Sequence, residues 1–371
     1  MKRSSLICLI FLALFSFGYR LNNSQSGGVS KIYLQGNTLI RTTPGEGIKF
    51  YDLSNPASPR LRSSVSILRN ADVAVKGNYM YADNHTDLVV FNISDLSRPV
   101  ATDTIRQVFD RPVYYPELPP MDDDVVVGGS SGCGDGCSNT APVDAAPARN
   151  GEFTNGGKAG SLARFAVVGD YLYCIDDYTL HVYDVSDPAR PRYRNRVAVS
   201  WDIETLFPYE DKLFIGGRSG MYIFDAADQE QPVQLSEFTH RRSCDPVVVE
   251  NNRAYVTLRG GSACGGFDNQ LDVIDISNIR NPKLLKSYKL SGPYGLSVRN
   301  GIVLVCDGEA GLVILDVNNP ANIREIGRVN GITAHDIILN DNLMVLSAED
   351  NFYLYDISRI ESPVLYTKLS F

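Results

Sequence analysis

The residues of this chain that are best suited to chemistry are four aspartates and one histidine. The aspartates are Asp72, Asp202, Asp245 and Asp336, and the histidine is His335. Carboxylate oxygens are the ligands that calcium and magnesium prefer, so a ring of such acids would hold a divalent cation. The histidine beside them could serve as a general base. In the alternative role, which is structural, the acids cap turns and bond neighbouring parts of the fold.

Aromatic and basic side chains complete the candidate binding residues. Trp201 is the only tryptophan, and Tyr294 and Arg164 fall at equivalent places elsewhere in the chain. Together with Tyr114 and Tyr115, the tryptophan could stack on a sugar ring or anchor a partner protein. The alternative is that these aromatic rings only fill gaps between parts of the fold.

Familiar catalytic motifs are missing from the sequence. The glycine-rich segment 260–266 lacks the following lysine and helix of a phosphate loop, and there is no Gly-x-Ser-x-Gly elbow. His335 and Asp336 are adjacent, and neighbours along a strand point to opposite faces, so Asp336 is not expected to orient the imidazole. The sequence therefore predicts no catalytic residue.

The elements that must position these residues come from a repeat. An apolar run closed by Asp or Asn recurs seven times at a basic period of about 40 residues, which is typical of a four-stranded propeller blade. We call the closing residues the markers. They are Asp52, Asn92, Asp184, Asp225, Asp275, Asp316 and Asp356.

Seven such units predict an all-β fold, a seven-bladed β-propeller of four-stranded antiparallel blades. The first turn of each unit is tight and contains Gly, Asn or Asp, which tolerate a positive φ. The starts of the innermost strands, where the candidate residues fall, would line one end of the central channel. Residues 30–52 resemble a partial unit and residues 364–371 an unpartnered strand. We therefore expect the C-terminal strand to complete the first blade and close the ring.

The markers also carry a family resemblance. The run Leu312–Val317 reads Leu-Val-Ile-Leu-Asp-Val, and it and its six relatives resemble the LVIVD repeat. The resemblance covers about residues 29–105 and 160–371. It implies a bacterial propeller-like chain that is exported, and it brings no catalytic residues.

The N-terminus predicts export by itself. Residues 1–18 resemble a signal peptide, with Lys2 and Arg3 before an apolar core at Leu6–Phe17 that is too short to span a membrane. Tyr19 stands where a lipoprotein would need cysteine, which argues against a lipid anchor. We expect a single propeller domain over residues 19–371, located in the periplasm, at the cell surface or outside the cell, with no transmembrane segment.

Cysteines of an exported chain can form disulfides. Cys244 and Cys264 would lie on the same rim of a propeller, so we expect a bond between them. Cys133 and Cys137 share a glycine-rich loop and could pair locally, or bind a metal if further ligands were supplied. The remaining mature-chain cysteines, Cys174 and Cys306, fall in second strands and are expected to be buried thiols.

One long insertion interrupts the repeat at about Arg106–Gly160, between the second and third units. Its Gly, Ser, Pro and Ala content predicts little regular structure, at least after residue 127. The loop Arg259–Gln270 would lie at the same end of the ring. Loops on one end of a rigid scaffold commonly bind ligands; the insertion is either a partner-binding arm or a tolerated disordered loop.

The net charge of −8 disfavours nucleic acid as a partner. The favoured function is an exported, non-catalytic binding or scaffolding module of the cell envelope. Its protein or glycan partner would meet the face that bears the 106–160 and 259–270 loops, and no cofactor is expected beyond a cation such as calcium. The alternative is a metal-dependent exported hydrolase of the lactonase kind that uses the acids of the channel, because propellers serve both functions.

Overall fold

The seven predicted blades are present in the computed structural model, which describes residues 30–43, 45–67, 69–109, 157–176, 178–201, 203–240, 246–261, 268–348 and 351–370. Seven antiparallel sheets of four consecutive strands stand in a ring, so the predicted fold class is confirmed. The helical structure of the described residues is a single short 3-10 turn, Pro320–Asn322. The predicted signal peptide at residues 1–18 lies outside the described residues.

The strands follow the chain blade by blade. Blade one has β1 (Lys31–Gln35), β2 (Thr38–Thr43), β3 (Gly47–Asp52) and β4 (Arg60–Val65). Blade two has β5 (Val73–Lys76), β6 (Tyr79–Asn84), β7 (Asp87–Asn92) and β8 (Val100–Ile105). A short strand, β9 (Lys158–Ala159), precedes blade three, which has β10 (Phe165–Val168), β11 (Tyr171–Ile175), β12 (Thr179–Asp184) and β13 (Arg192–Ala198).

The other four blades repeat this order. Blade four has β14 (Ile203–Tyr209), β15 (Lys212–Gly217), β16 (Gly220–Asp225) and β17 (Val233–Thr239). Blade five has β18 (Val247–Glu250), β19 (Arg253–Leu258), β20 (Gln270–Asp275) and β21 (Lys283–Lys289). Blade six has β22 (Leu296–Arg299), β23 (Ile302–Cys306), β24 (Leu312–Asp316) and β25 (Arg324–Val329). Blade seven has β26 (Ala334–Asn340), β27 (Leu343–Ala348), β28 (Asn351–Asp356) and β29 (Val364–Ser370).

The markers act as turn residues, as the periodicity predicted. Each marker ends the third strand of its blade, and its side-chain oxygen accepts a hydrogen bond from the backbone N–H two residues later, as Asp52 does from Ser54 at 2.8 Å. This Asx turn stops the strand and starts the return to the outer strand. The same bond occurs at the other six markers, Asn92, Asp184, Asp225, Asp275, Asp316 and Asp356.

The tight first turns also form as predicted. Gly36, Gly77 and Gly169 have φ values of 54°, 58° and 58°, and Asp341 takes the same left-handed conformation at 47°. Blade four differs, because Glu210 adopts a φ of 52° there although glutamate rarely favours it.

The prediction that the C-terminal strand completes blade one is wrong. β29 pairs with β28 and forms the outer edge of blade seven, whereas β4 supplies the outer strand of blade one. The sequence reasoning missed β4 because its side chains are largely polar and exposed, as an outermost strand allows. The ring therefore closes without a shared strand.

Closure depends on side-chain packing between blades seven and one. Ile32, Leu34 and Tyr51 of blade one form one buried cluster with Val345 and Phe352 of blade seven. The rings of Tyr51 and Phe352 meet edge to face with their centroids 5.0 Å apart, a favourable geometry for aromatic pairs. The inner strands β1 and β26 also lie side by side.

The long insertion is anchored at both of its described ends. At its start, the fully buried Phe109 stacks on Phe165 with a centroid distance of 5.7 Å and packs edge-on against His181 at 5.6 Å. At its end, β9 pairs antiparallel with β1, so a fifth strand lies on the channel side of blade one. Lys158–Ala159 is the strand in the described part of the insertion; residues 110–156 lie outside the described residues, so the expectation of little regular structure stays a prediction.

The packing at the ring closure gives a stability prediction. We expect Phe352→Ala to lower the free energy of unfolding by about 3–5 kcal/mol, because it removes a fully buried ring from the contact between the first and last blades. Val364→Ala on the exposed edge of β29 is the control and should change the free energy of unfolding by about 0.5 kcal/mol or less. Urea denaturation measures both. Equal losses would show that this contact does not stabilise the ring.

Candidate functional site in the central channel

The predicted binding-face residues occupy the end of the ring where the inner strands begin, which we call the upper face. Asp72 directly precedes β5, Arg164 precedes β10, and Tyr294 lies just before β22. His335 and Asp336 lie within β26. Trp201 stands in the connection between blades three and four, and Asp202 and Asp245 lie outside the described residues.

Asp72 joins the first three blades. Its carboxylate accepts hydrogen bonds from the backbone N–H groups of Val73 at 2.8 Å, of Phe165 at 3.3 Å and of Arg164. The ammonium group of Lys31 lies 3.5 Å from Oδ2. Burial lowers the pKa of Lys31, and the nearby Asp72 partly offsets that effect. These bonds match the structural role for Asp72 that the sequence left open.

Asp83 is a buried acid of the same cluster that the sequence reasoning missed. It accepts hydrogen bonds from the backbone N–H groups of Ala71 at 2.9 Å and Asp72 at 2.7 Å, and from the side-chain amide of Asn70 at 3.0 Å. Complete burial raises the pKa of Asp83 to about 7. A signal was present in the sequence, because Asp176 and Asp307 directly follow the second strands of other blades and also accept backbone N–H groups.

Asp336 ties the end of the insertion to blade seven. Its Oδ1 accepts hydrogen bonds from the backbone N–H of Ser161 at 3.1 Å, from the Ser161 hydroxyl at 3.2 Å and from the backbone N–H of Ile337 at 2.9 Å. The Ser161 hydroxyl oxygen in turn accepts the N–H of Leu296 at 2.8 Å. Burial raises the pKa of Asp336 to about 7.

Two glycines make room for this carboxylate. A Cβ atom at Gly160 or at Gly295 would collide with the side-chain oxygens of Asp336. The absence of both side chains is therefore a condition of the Asp336–Ser161 contact. Nothing in the local sequence signalled Ser161 as a partner, because its position depends on the path of the insertion through the channel.

Arg259, Tyr294 and His335 form a second group on the upper face, which we call the aromatic–arginine cluster. The guanidinium of Arg259 lies 4.0 Å from the centroid of the Tyr294 ring, a cation–π geometry. The rings of Tyr294 and His335 are 4.7 Å apart. Burial, with a smaller effect from Arg259, lowers the pKa of His335 to about 4, so the imidazole is neutral at pH 7.

The structure thus separates the predicted site residues into three places. Asp72 and Arg164 lie together, Asp336 bonds the end of the insertion, and Tyr294 and His335 belong to the aromatic–arginine cluster. Trp201 has 46% of its surface exposed. Among the described residues, no group of three or more His, Cys, Asp or Glu side chains could hold a metal ion.

Two of the six mature-chain cysteines lie among the described residues. Cys174 and Cys306 are fully buried free thiols in second strands, which confirms that prediction, and burial raises the pKa of both. Cys133, Cys137, Cys244 and Cys264 lie outside the described residues, so their two predicted disulfides stay predictions.

Comparison with known families identifies the repeat. The LVIVD repeat matches residues 69–104, 156–199, 247–289 and 295–331, which cover blades two, three, five and six. Four of the seven blades therefore carry the LVIVD repeat. No curated protein sequence matches it.

Solved structures with the same fold include several propellers. The periplasmic gluconolactonase PpgL of Pseudomonas aeruginosa has a TM-score of 0.61 and 11% identity, over 93% of this chain and 96% of that one. BamB of Moraxella catarrhalis has a TM-score of 0.50 and 12% identity, over 85% and 80%. The computationally designed Ika8 protein has a TM-score of 0.53 and 13% identity, over 93% and 88%. At these identities the likeness of the LVIVD-repeat chain to each shows a shared propeller fold alone.

The raised pKa values of Asp83 and Asp336 predict that stability depends on pH. The ordinary value is 3.8, so between about pH 4 and 7 the folded protein holds protons that the unfolded chain has released. The free energy of unfolding should therefore fall as pH rises through this range. Asp336→Asn should make the slope shallower by up to about 1.4 kcal/mol per pH unit, and Asp83→Asn is an independent second variant.

Urea denaturation between pH 5 and 8 measures these slopes, and Asp184→Asn is the matched control. Hydrogen bonds from Arg194 and Ser186 hold the pKa of Asp184 well below its usual range, so Asp184 stays ionised throughout this interval. Its replacement should leave the slope unchanged. If the wild type and both buried-acid variants had the same slope, the two carboxyl groups would titrate as in the unfolded chain.

Proposed function

We propose that the protein is an exported, non-catalytic binding or scaffolding module of the cell envelope, and that its protein or glycan partner meets the upper face. The observation that carries this proposal is the aromatic–arginine cluster. Arginine and aromatic side chains are the residues that most often dominate binding energy at interfaces. Arg259 of the cluster is the first residue of the Arg259–Gln270 loop, and Trp201 adds an exposed aromatic ring on the same face.

The bonding of the channel acids supports binding over metal-dependent hydrolysis. Asp72 and Asp336 already accept several backbone N–H groups each, and Lys31 lies beside Asp72. A divalent cation at either carboxylate would compete with these bonds and with the ammonium group. His335 has a lowered pKa and contacts Tyr294 rather than an orienting acid, which favours a packing role.

Export rests on the predicted signal peptide and on the family resemblance. No helix among the described residues is long and apolar enough to cross a membrane. The structural neighbour PpgL is a periplasmic protein, which is consistent with a periplasmic place for this chain. The partner would then be a component of the envelope.

Substitutions on the upper face test the location of the binding surface. We expect Trp201→Ala and Arg259→Ala each to weaken partner binding by about tenfold or more, because truncation of a central aromatic or arginine anchor costs about 2 kcal/mol or more. Tyr193→Ala is the control, since Tyr193 is more exposed than Trp201 but lies on the outer strand of blade three. Quantitative mass spectrometry of envelope proteins retained by each variant, with a glycan array in parallel, measures the effect.

The melting temperature of each variant separates loss of binding from loss of fold. We expect proteins or glycans that the wild type and the Tyr193→Ala variant retain to be lost from the Trp201→Ala and Arg259→Ala variants. Equal retention by all four proteins would place the binding surface elsewhere.

Metal content tests the hydrolase alternative directly. We expect elemental mass spectrometry of the dialysed protein to find far less than one calcium or other divalent ion per chain, because two of the channel acids are committed to backbone hydrogen bonds. About one ion per chain, lost on Asp72→Asn or Asp336→Asn in a folded variant, would instead favour the hydrolase.

A further inference from the structure

The central channel contains a cavity of about 410 Å³. It extends from the level of Leu296 and Ile337 to that of Arg299 and Leu339, near the ends of the inner strands. Its walls come from the inner strands of six blades and from the end of the insertion, and they are mostly apolar, with Tyr33, Phe165 and Phe207 as the aromatic side chains. Cavities of this size and character commonly bind small molecules.

Two cationic side chains lie at the end of this cavity where the inner strands finish. The ammonium group of Lys158 donates a hydrogen bond to the carbonyl oxygen of Leu339 at 3.3 Å. The guanidinium of Arg299 donates to the carbonyl oxygen of Asp341. Leu339 lies in β26 and Asp341 in the turn that follows it, so the two bonds place both cations beside the same segment of blade seven.

The charge of this pair is not neutralised by contact. Within the described residues, neither Lys158 nor Arg299 has a carboxylate within ion-pair distance. Asp341 is the acid whose field acts on both, and its single charge faces two positive ones. Burial lowers the pKa of each cation, and Arg299 lowers that of Lys158 further.

We propose that this cavity binds a small carboxylate with an apolar body, whose carboxylate group meets Lys158 and Arg299. The apolar walls would cover the body of the ligand, and arginine and lysine would supply charge-assisted hydrogen bonds to its head. A neutral or cationic ligand of the same shape would leave the charges of exposed Lys158 and half-buried Arg299 unbalanced. This site lies at the opposite end of the channel from the aromatic–arginine cluster, so it is independent of the partner-binding proposal.

The position of Lys158 gives the site its asymmetry. Lys158 lies on β9, which is not part of the sevenfold repeat and enters the channel only because the insertion pairs with β1. Arg299 is the last residue of β22, and the other inner strands end in Gln35, Lys76, Val168, Tyr209, Glu250 and Asn340. The two cations therefore meet between blades six and seven and not around the whole ring.

Isothermal titration calorimetry with decanoate tests the proposal, with decanol and decyltrimethylammonium as probes of the same chain length. We expect one decanoate per protein and binding of decanol and of the cation weaker by about tenfold or more. Lys158→Gln and Arg299→Gln should each weaken decanoate binding by a similar factor. Raised salt should weaken decanoate binding, because Lys158 is exposed and the charges of exposed groups are screened.

Lys212→Gln is the matched control. Lys212 lies at the same end of the ring, bonds Asp211 at 2.6 Å and does not line the cavity, so its loss should leave decanoate binding unchanged. Absence of saturable decanoate binding to the wild type would overturn the proposal. Equal binding of decanol, or equal loss in the Lys212 variant and the two cavity variants at unchanged melting temperatures, would also overturn it.

Discussion

Each blade of this protein is a four-stranded sheet with two apolar faces, and the rest of the structure follows from the need to cover both. A neighbour on each side meets this need, and only a ring gives every blade two neighbours. The first and last blades satisfy it by contact, as Tyr51 and Phe352 do at 5.0 Å, without exchanging a strand. The markers play no part in this packing between blades. Their Asx turns instead set the point where each third strand ends.

Closing the ring creates a second constraint at its axis. Seven inner strands leave a channel that their own side chains do not fill, and residues 157–161 occupy part of it by pairing with β1 and bonding Asp336. The contact is possible because Gly160 and Gly295 leave space for the carboxylate. This one segment lines the cavity of the channel, and it carries Lys158 to the end where the inner strands finish.

The sequence was sufficient to predict what is local and periodic. The markers, the tight turns at Gly36 and Gly77, and the buried thiol Cys174 all depend on neighbours within one unit. It was insufficient where a contact joins distant parts of the chain, as for Asp336 with Ser161 or β1 with β9. The polar outer strand β4 also escaped notice, because exposure removes the apolar alternation on which strand prediction depends.

The repeat also indicates where function should be sought. A residue that recurs in every blade, such as the marker, forms the same turn seven times. Such a residue cannot distinguish one side of the ring from another. A binding site on a pseudo-symmetric ring must be built from residues that differ among blades. The aromatic–arginine cluster of blades five to seven and the Lys158–Arg299 pair meet that condition at opposite ends of one channel. Asp72 and Asp336 also break the symmetry, but their oxygens bond the backbone and thereby hold the channel together.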